Sequence, residues 1–435
     1  MTVLLNPSLV DLSDLRGVLL HNLARPVVNI SYAIDRALWG FSSFGFHLTN
    51  AILHVIVVGL FYGWCTRALA DGVRPGSDRG QTRVRPRSDP GVTPPVEWPA
   101  FFAAAAFGVH PLMGATTAYV SARSELLAAL GVLAALTYAR RAIVGAHPAS
   151  WVIAAAFSLL AAASSASAAA LPLLVLVYDA WVLRDRDWRR RTLRFYLPAL
   201  IAIALLFVAW RLPDLLAAER VPPRGLTDNL LTQALVIWRY LGLLIGFPGQ
   251  ALVHDVHWVT TPLDPAGIMA LGFLAAAVAA AIRFRQSQPL VAFGVVWFVA
   301  VLAPSSSLVP LRDAMAEPRA YLASAGLLLA AASVLARPLV SRRAARGVAL
   351  GVVLLLGIQT YQRNRIWSDP LRLWEEAAHR SRDVWLAHLG YADLLREIGR
   401  CDRAVPEYEA ALRLNPDEPD ATAGLESCRR IRTAP

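Results

Sequence analysis

Lysine is absent, and all 42 basic residues of this 435-residue chain are arginine. Together with a high alanine content, that absence reflects the base composition of the genome, and no mechanism is built on it. Cysteine is scarce as well. Cys65, Cys401 and Cys428 form no CxxC pair and no metal-ligand spacing, so the sequence gives no support for a metal centre. Two free thiols are expected at Cys401 and Cys428, with a disulfide as the alternative in an oxidising compartment. No signal-peptide pattern opens the chain. Charge is thin, at 17% of residues, and the net excess of +11 sits in short loops between apolar runs. Nucleic-acid binding is therefore not expected.

What the chain has in abundance is apolar surface. Hydrophobic residues make up 56% of it and the mean hydropathy is +0.46, more than a soluble globular chain of this length carries. A span needs about 17–25 apolar residues. Ten candidates fill 46–361: 46–66, 99–117, 123–141, 150–166, 168–183, 193–211, 264–282, 288–303, 320–336 and 346–361. The fourth and fifth are short and Ser/Ala-joined, which predicts a tight hairpin. The expected fold is an all-α, polytopic membrane domain of about ten spans over 46–361. Before it lies an outer-face segment, 1–45, and after it a soluble helical tail, 362–435.

Orientation follows the basic residues of short loops. Loops 67–98, 139–149, 184–192, 283–287 and 337–346 are rich in arginine, including Arg189-Arg190-Arg191 and Arg342-Arg343, and are assigned to the cytoplasm. Loops 112–122, 212–263 and 304–319 hold only Arg220, Arg224, Arg239, Arg312 and Arg319 and are assigned outside. Residues 229–247 are apolar enough to span, but a span there would put Arg283 and Arg285 outside. They are read as an interfacial or re-entrant helix with Gln233 and Arg239 on its polar side. Parity then places both the tail and residues 1–45 on the non-cytoplasmic side of a bacterial inner membrane or an ER-type membrane. For residues 1–45 this means that the N-terminus crosses unaided, or that a first span precedes Met1. Residues 71–98, with Pro75, Gly76, Pro86, Pro90, Pro94 and Pro95 among Arg and Asp, read as a disordered cytoplasmic loop.

In the tail, 12 Arg face 13 Asp plus Glu. Residues 385–418 match the 34-residue tetratricopeptide template: Ala392, Gly399, Ala404, Tyr408, Ala411 and Pro416 fall at positions 8, 15, 20, 24, 27 and 32. Small residues at 8, 20 and 27 let two helices approach closely. Gly399 ends the first helix and Pro416 stops the second. Residues 370–382 and 419–432 read as halves of neighbouring repeats, and Pro406 is a departure near the start of the second helix. Such a tail either caps the membrane domain or docks a polypeptide.

Ionisable residues in or beside spans default to functional candidates. Arg25-Pro26 through Asn29 and Ser31, then Asp35, Leu38-Trp39-Gly40, Phe44 to His47, Asn50 and His54 lead into the first span. His110-Pro111 precedes Tyr119 to Leu126, which holds Arg123 and Glu125. Leu171-Pro172 precedes Tyr178-Asp179. Later come Ala316-Glu317-Pro318-Arg319-Ala320-Tyr321, and Arg363-Asn364 with Trp367-Ser368-Asp369 and Trp374. In this order, and ending in tetratricopeptide-like repeats, these blocks resemble the transmembrane and tetratricopeptide-repeat proteins, O-mannosyltransferase-like enzymes with a GT-C-type membrane domain. The resemblance covers nearly the whole chain.

The resemblance implies a glycosyltransferase that moves a sugar such as mannose from a polyprenyl- or dolichyl-phosphate carrier to a protein Ser or Thr hydroxyl on the outer face. It implies no metal and no cofactor beyond the lipid-linked donor. A basic group must steady the phosphate leaving group and a carboxylate must deprotonate the acceptor. Arg25, Arg123 and Arg319 are the candidates for phosphate, with His110, Glu125, Glu317 and Tyr321 as further donor- or substrate-binding candidates. Alternatively, the three arginines snorkel or pair with Asp35, Glu125 or Glu317.

The chain departs from the family pattern at its acids. The family's catalytic acidic pair precedes an Asn-Pro matched here by Asn6-Pro7, so it is expected before Met1; Asp11 and Asp14 follow instead and read as loop or cap residues. A second family acid falls at Ala115. A Lys-Glu landmark is Ser165-Ala166. Elsewhere, His254 and His257 lack a third metal ligand, and Asp185-Arg186-Asp187 reads as a solvated loop. His47 and His54 share a helical face that either packs in the core or meets the donor headgroup. Against the enzyme stand a catalytically inactive, membrane-anchored repeat scaffold and a lipid-linked-sugar transporter. A reporter fused after Pro435 is predicted to be active only outside the cytoplasm, and activity inside would overturn the orientation.

Overall fold

The computed structural model describes residues 16–18, 25–73, 96–145, 147–185, 187–202, 205, 225–246, 249–304, 314–337 and 342–433. Asn6-Pro7, Asp11, Asp14, Arg186, most of the 71–98 loop and much of the 193–211 stretch lie outside them. Every regular element among the described residues is helical.

Among the described residues, six helices are long and apolar enough to cross a membrane: Ser43–Gly72, Val120–Gly145, Ala166–Leu183, Pro265–Phe284, Glu317–Leu335 and Arg343–Trp367. Glu97–Val109 and Pro111–Ala118, bent by 52° at their junction, make a seventh if counted as one span. Two of the expected ten, Pro148–Ala162 and Pro289–Leu302, are helices of 15 and 14 residues. At 1.5 Å per residue they reach only about 22 Å, short of a hydrocarbon core of about 30 Å. Leu226–Ile245 is a continuous helix that is not among the six. Its Arg239 is exposed, but Gln233 is buried and donates to the Ala314 carbonyl. This corrects the expected polar face: six residues at 100° each put the two on different sides of the helix.

The bend is written in the sequence. Pro111 has no N–H to give, and His110 stands in extended conformation between the two helices. The carbonyls freed at the break find other donors, as any backbone group at membrane depth must. His54 Nε2 donates to Gly108 O at 3.0 Å and Thr360 Oγ1 donates to Val109 O at 2.6 Å. His110 itself caps the second helix, its Nδ1 accepting from Leu112 N (3.1 Å) while its Nε2 donates to Leu244 O (2.9 Å).

Helices meet through small residues and aromatic rings. A Cβ on Gly294 would come within 2.3 Å of the Gly326 carbonyl, so Pro289–Leu302 and Ala320–Leu335 touch backbone to backbone. Trp297, fully buried, fills the space beside this contact, packs on Trp64 and Phe293, and donates to Leu322 O.

Polar contacts gather at the two ends of the helices. At one end Tyr32 reaches Val120 O, Asn50 reaches Thr117 O, and Tyr119 meets Trp367. At the other, Arg140 and Tyr178 bind Asp71, while Arg191 holds Asp179 and Asp185, and Arg184 reaches Arg285 O and Gln286 O. Asp185 is held by Arg191 with its side chain 41% exposed, and Asp187 is exposed beside it.

The tail follows as four helices, Pro370–Arg380, Trp385–Glu397, Cys401–Leu414 and Pro419–Thr433. Ala392, Ala404, Ala411 and Tyr408 are fully buried in one cluster. Gly399 sits at φ +77° where the second helix ends, and Pro416 lies in the loop after the third. Cys401 and Cys428 are joined as a disulfide, correcting the expectation of free thiols. The tail is fastened to the membrane domain by Arg363–Glu376, by Arg380 to Gln250 O (2.8 Å) and by Ser381 to Val253 O (2.6 Å).

Arg123 ties three helices together. It pairs with Asp35 at 2.5 Å, with its side chain wholly buried. It also donates to Asn50 Oδ1 (2.8 Å) and Phe46 O (3.0 Å), beneath the Tyr32 ring. Arg123→Met alone is predicted to cost about 3–5 kcal/mol by stranding the Asp35 charge, and Arg123→Met with Asp35→Leu to cost less. Thermal unfolding in detergent checks this; a double variant less stable than the single one would contradict it.

Candidate functional site

Of the residues singled out in the sequence, Arg25, Glu125, Glu317 and Arg319 converge at the end of the helices that carries the tail. Glu125 opens the Arg123–Gly145 helix and is buried. Its carboxylate accepts from Ser165 Oγ at 2.7 Å and Ser167 Oγ at 3.2 Å, both on the turn before Leu171-Pro172. Arg25, at the N-terminus of the Pro26–Trp39 helix, donates to Ser124 Oγ at 3.4 Å. Arg25 and Arg319 both lie within electrostatic reach of the Glu125 carboxylate. Arg25 is exposed and Arg319 half-buried. The positive charges of both guanidiniums are thus felt at one enclosed carboxylate.

Glu317 lies beside this centre on a short turn ahead of Ala320–Leu335. It takes Ala251 N at 2.8 Å, His254 Nε2 at 3.1 Å and Gln250 Nε2 at 3.4 Å. So Glu317 anchors the 249–259 segment, and Arg319 donates to Ala314 O at 3.4 Å. Tyr240 bridges the two groups: its hydroxyl exchanges hydrogen bonds with Ala316 O (2.8 Å) and Ala316 N (3.0 Å), and it feels Arg319, Glu317 and Glu125 together. Burial pushes this phenol up to about 12, which keeps it a neutral donor at physiological pH.

Three sequence candidates are committed elsewhere. Arg123 turns all three of its nitrogens to protein, Nε to Asn50, Nη2 to Asp35 and Phe46 O and Nη1 to Ser31, and being wholly buried it presents none to a phosphate. Both ring nitrogens of His110 are taken by the bent helix. Tyr321 is fully buried, with its hydroxyl 2.7 Å from His54 Nδ1. Because His54 Nε2 donates to Gly108 O, Nδ1 is the bare nitrogen and accepts the Tyr321 proton. His254 turns to Glu317, and His257 lies 3.5 Å from Asp264. No group of three or more metal-ligating side chains occurs among the described residues.

Ser165, Ser167 and Tyr240 were missed in the sequence. Ser165, with Ala166, stands where the resembled family carries charge, so it reads as a loss; in space Ser165 and Ser167 are the partners of Glu125, forty and forty-two residues away. Tyr240 carries no signal beyond its place on an apolar helix.

An enclosed carboxylate receiving serine hydroxyls, with two guanidiniums at its edge, can hold an anion and accept a proton from a hydroxyl. No protein-family model, no curated protein and no solved structure matches the chain.

If the serines are the true partners of Glu125, Ser165→Ala with Ser167→Ala costs about 1–3 kcal/mol in the native chain, since the carboxylate loses its donors. In a Glu125→Ala background the same pair is predicted to cost little. Unfolding midpoints of the three variants check this, and additive costs would contradict the pairing.

Proposed function

We propose that this chain is a GT-C-like, multi-pass membrane glycosyltransferase, related to the transmembrane and tetratricopeptide-repeat O-mannosyltransferases. Its donor is a polyprenyl- or dolichyl-phosphate sugar such as mannose, and its acceptor is a Ser or Thr hydroxyl of a polypeptide. The observation that carries this reading is the convergence of Arg25 and Arg319 on Glu125. In the proposed reaction the bond between the sugar C1 and the carrier phosphate breaks, and its electron pair leaves on the phosphate. A bond from the acceptor oxygen to C1 forms, and the hydroxyl proton passes to Glu125. Arg25 and Arg319 hold the departing phosphate. Ser165 already presents a serine hydroxyl to Glu125 at hydrogen-bond distance, the arrangement that an acceptor hydroxyl would copy.

The four-helix tail, in this reading, is a tetratricopeptide-type platform that brings an acceptor polypeptide to the same end. The sidedness has two independent supports: arginine is concentrated in the loops of the other end, and the Cys401–Cys428 disulfide belongs in an oxidising compartment. We read the membrane domain as having about ten spans, with the two short helices among them.

A second reading, the inactive scaffold, draws on Ala115. It is buried where the resembled family has an acid, and Ser165 and Ser167 occupy both oxygens of Glu125. The test is transfer of radiolabelled mannose from polyprenyl-phosphate mannose into protein by membranes containing the chain. Label is expected to move, Glu125→Gln to abolish transfer while donor still binds, and Arg319→Gln to weaken donor binding. Donor bound without transfer by the unaltered chain would favour the scaffold, and no donor binding would end the transferase reading.

A further inference from the structure

A second polar place lies at the broken helix, apart from the Glu125 centre. A cavity of about 450 Å³ opens between the Ser43–Val73 helix, the bent pair and the last membrane helix, Arg342–Trp367. Its volume falls in the ordinary range for small-ligand sites. Its lining includes His47, Thr117, Asn364, Trp367 and Ser368 and contains no Arg, Asp or Glu. His47 and His54 mark one wall and Thr360 and Trp367 the other. Each pair is seven residues apart, so the cavity runs about 10 Å along both helices.

Three of its polar groups have no protein partner among the described residues. The Trp367 indole N–H is buried and unbonded. The His47 imidazole and the Asn364 amide make no side-chain hydrogen bond. A buried donor left unbonded, as at Trp367, costs stability unless something else bonds it, and the exposed His47 imidazole and Asn364 amide stand on the same lining. The place is also where a membrane helix is interrupted, and interrupted backbone at membrane depth is tolerated where it is buried in protein or lines a cavity. Gly114 leaves room there, since a Cβ on it would come within 3.3 Å of Asn364 Oδ1. The two walls belong to helices whose outer faces expose Ile52, Val55, Leu355 and Ile358, so a ligand can enter sideways from the bilayer.

We propose that this cavity binds the uncharged sugar headgroup of a membrane glycolipid. A sugar ring offers hydroxyls that both donate and accept, which suits the imidazole, amide and indole N–H, and an apolar C–H face, which suits the Trp367 ring. A phosphate would find no cation among the lining residues. The proposal rests on the membrane reading of the helices but not on glycosyl transfer.

The probe is glucosyldiacylglycerol, which has no phosphate leaving group, so its retention reports this cavity and not the donor centre. The full chain is placed in phosphatidylcholine nanodiscs carrying a minor fraction of it, and native mass spectrometry counts the lipids kept after release. One glucosyldiacylglycerol is expected to be retained in preference to phosphatidylcholine. Asn364→Ala and Trp367→Phe are each expected to weaken retention about tenfold, or about 1.4 kcal/mol, and Gly114→Leu to abolish it. Gly351→Ala, on an open helix face, should change nothing. Unfolding midpoints establish that each variant is folded. Equal retention of both lipids, or full retention by folded Gly114→Leu, would overturn the proposal. Displacement by soluble methyl glucoside would overturn the assignment to a lipid.

Discussion

A guanidinium at the mouth of a membrane domain must be hydrated or fully bonded, and Arg123 is fully bonded. Its pairing with Asp35 and its bonds to Asn50 and Phe46 O lock the Pro26–Trp39 and Ser43–Val73 helices onto the helix that it opens. Everything at that end is referenced to this pair. Glu125 stands two residues along the same helix, Ser124 between them receives Arg25, and Asn50 reaches across to Thr117 O on the bent helix. The desolvation cost of two buried charges is offset only by such complete bonding. That is why Arg123 is unavailable to a phosphate, whereas Arg25 and Arg319 remain at the surface or near it.

The same accounting governs the bent helix. Pro111 breaks the ladder, and the freed carbonyls recruit His54 from one neighbour and Thr360 from another. Two helices far apart in sequence are thereby held at the same depth, and the space between them becomes the cavity at Asn364 and Trp367. Polar residues at the break therefore divide into those that repair the backbone and those that face the cavity unpaired.

Much of this was legible in the sequence because it is local. Apolar runs marked the long helices, and the spacing of Ala392, Gly399, Ala404, Tyr408 and Ala411 marked two helices with small residues between them, whereas the bend at His110-Pro111 fell inside what reads as one span, 99–117. Contacts across long separations were not legible. Glu125 and Ser165 are forty residues apart, and no local pattern says that they meet. Arg123 and Arg319 look alike in sequence, each at the start of a membrane helix, yet one is wholly buried against an aspartate and the other is half-buried. Gln233 misled because an apolar helix buries its polar residues when a neighbouring carbonyl, here Ala314 O, lies within reach. The joining of Cys401 to Cys428 depended on the third and fourth tail helices packing side by side, which composition cannot show.

The central claim is that Arg25, Glu125 and Arg319 form the place where a lipid-linked sugar phosphate is held. An electron cryomicroscopy map of the full chain in nanodiscs, with a polyprenyl-phosphate sugar added, tests it most directly. The account predicts density for the phosphate between the Arg25 and Arg319 guanidiniums, with the sugar facing Glu125. Phosphate density at the opposite end, against Arg140 or Arg191, with this place unchanged, would contradict it.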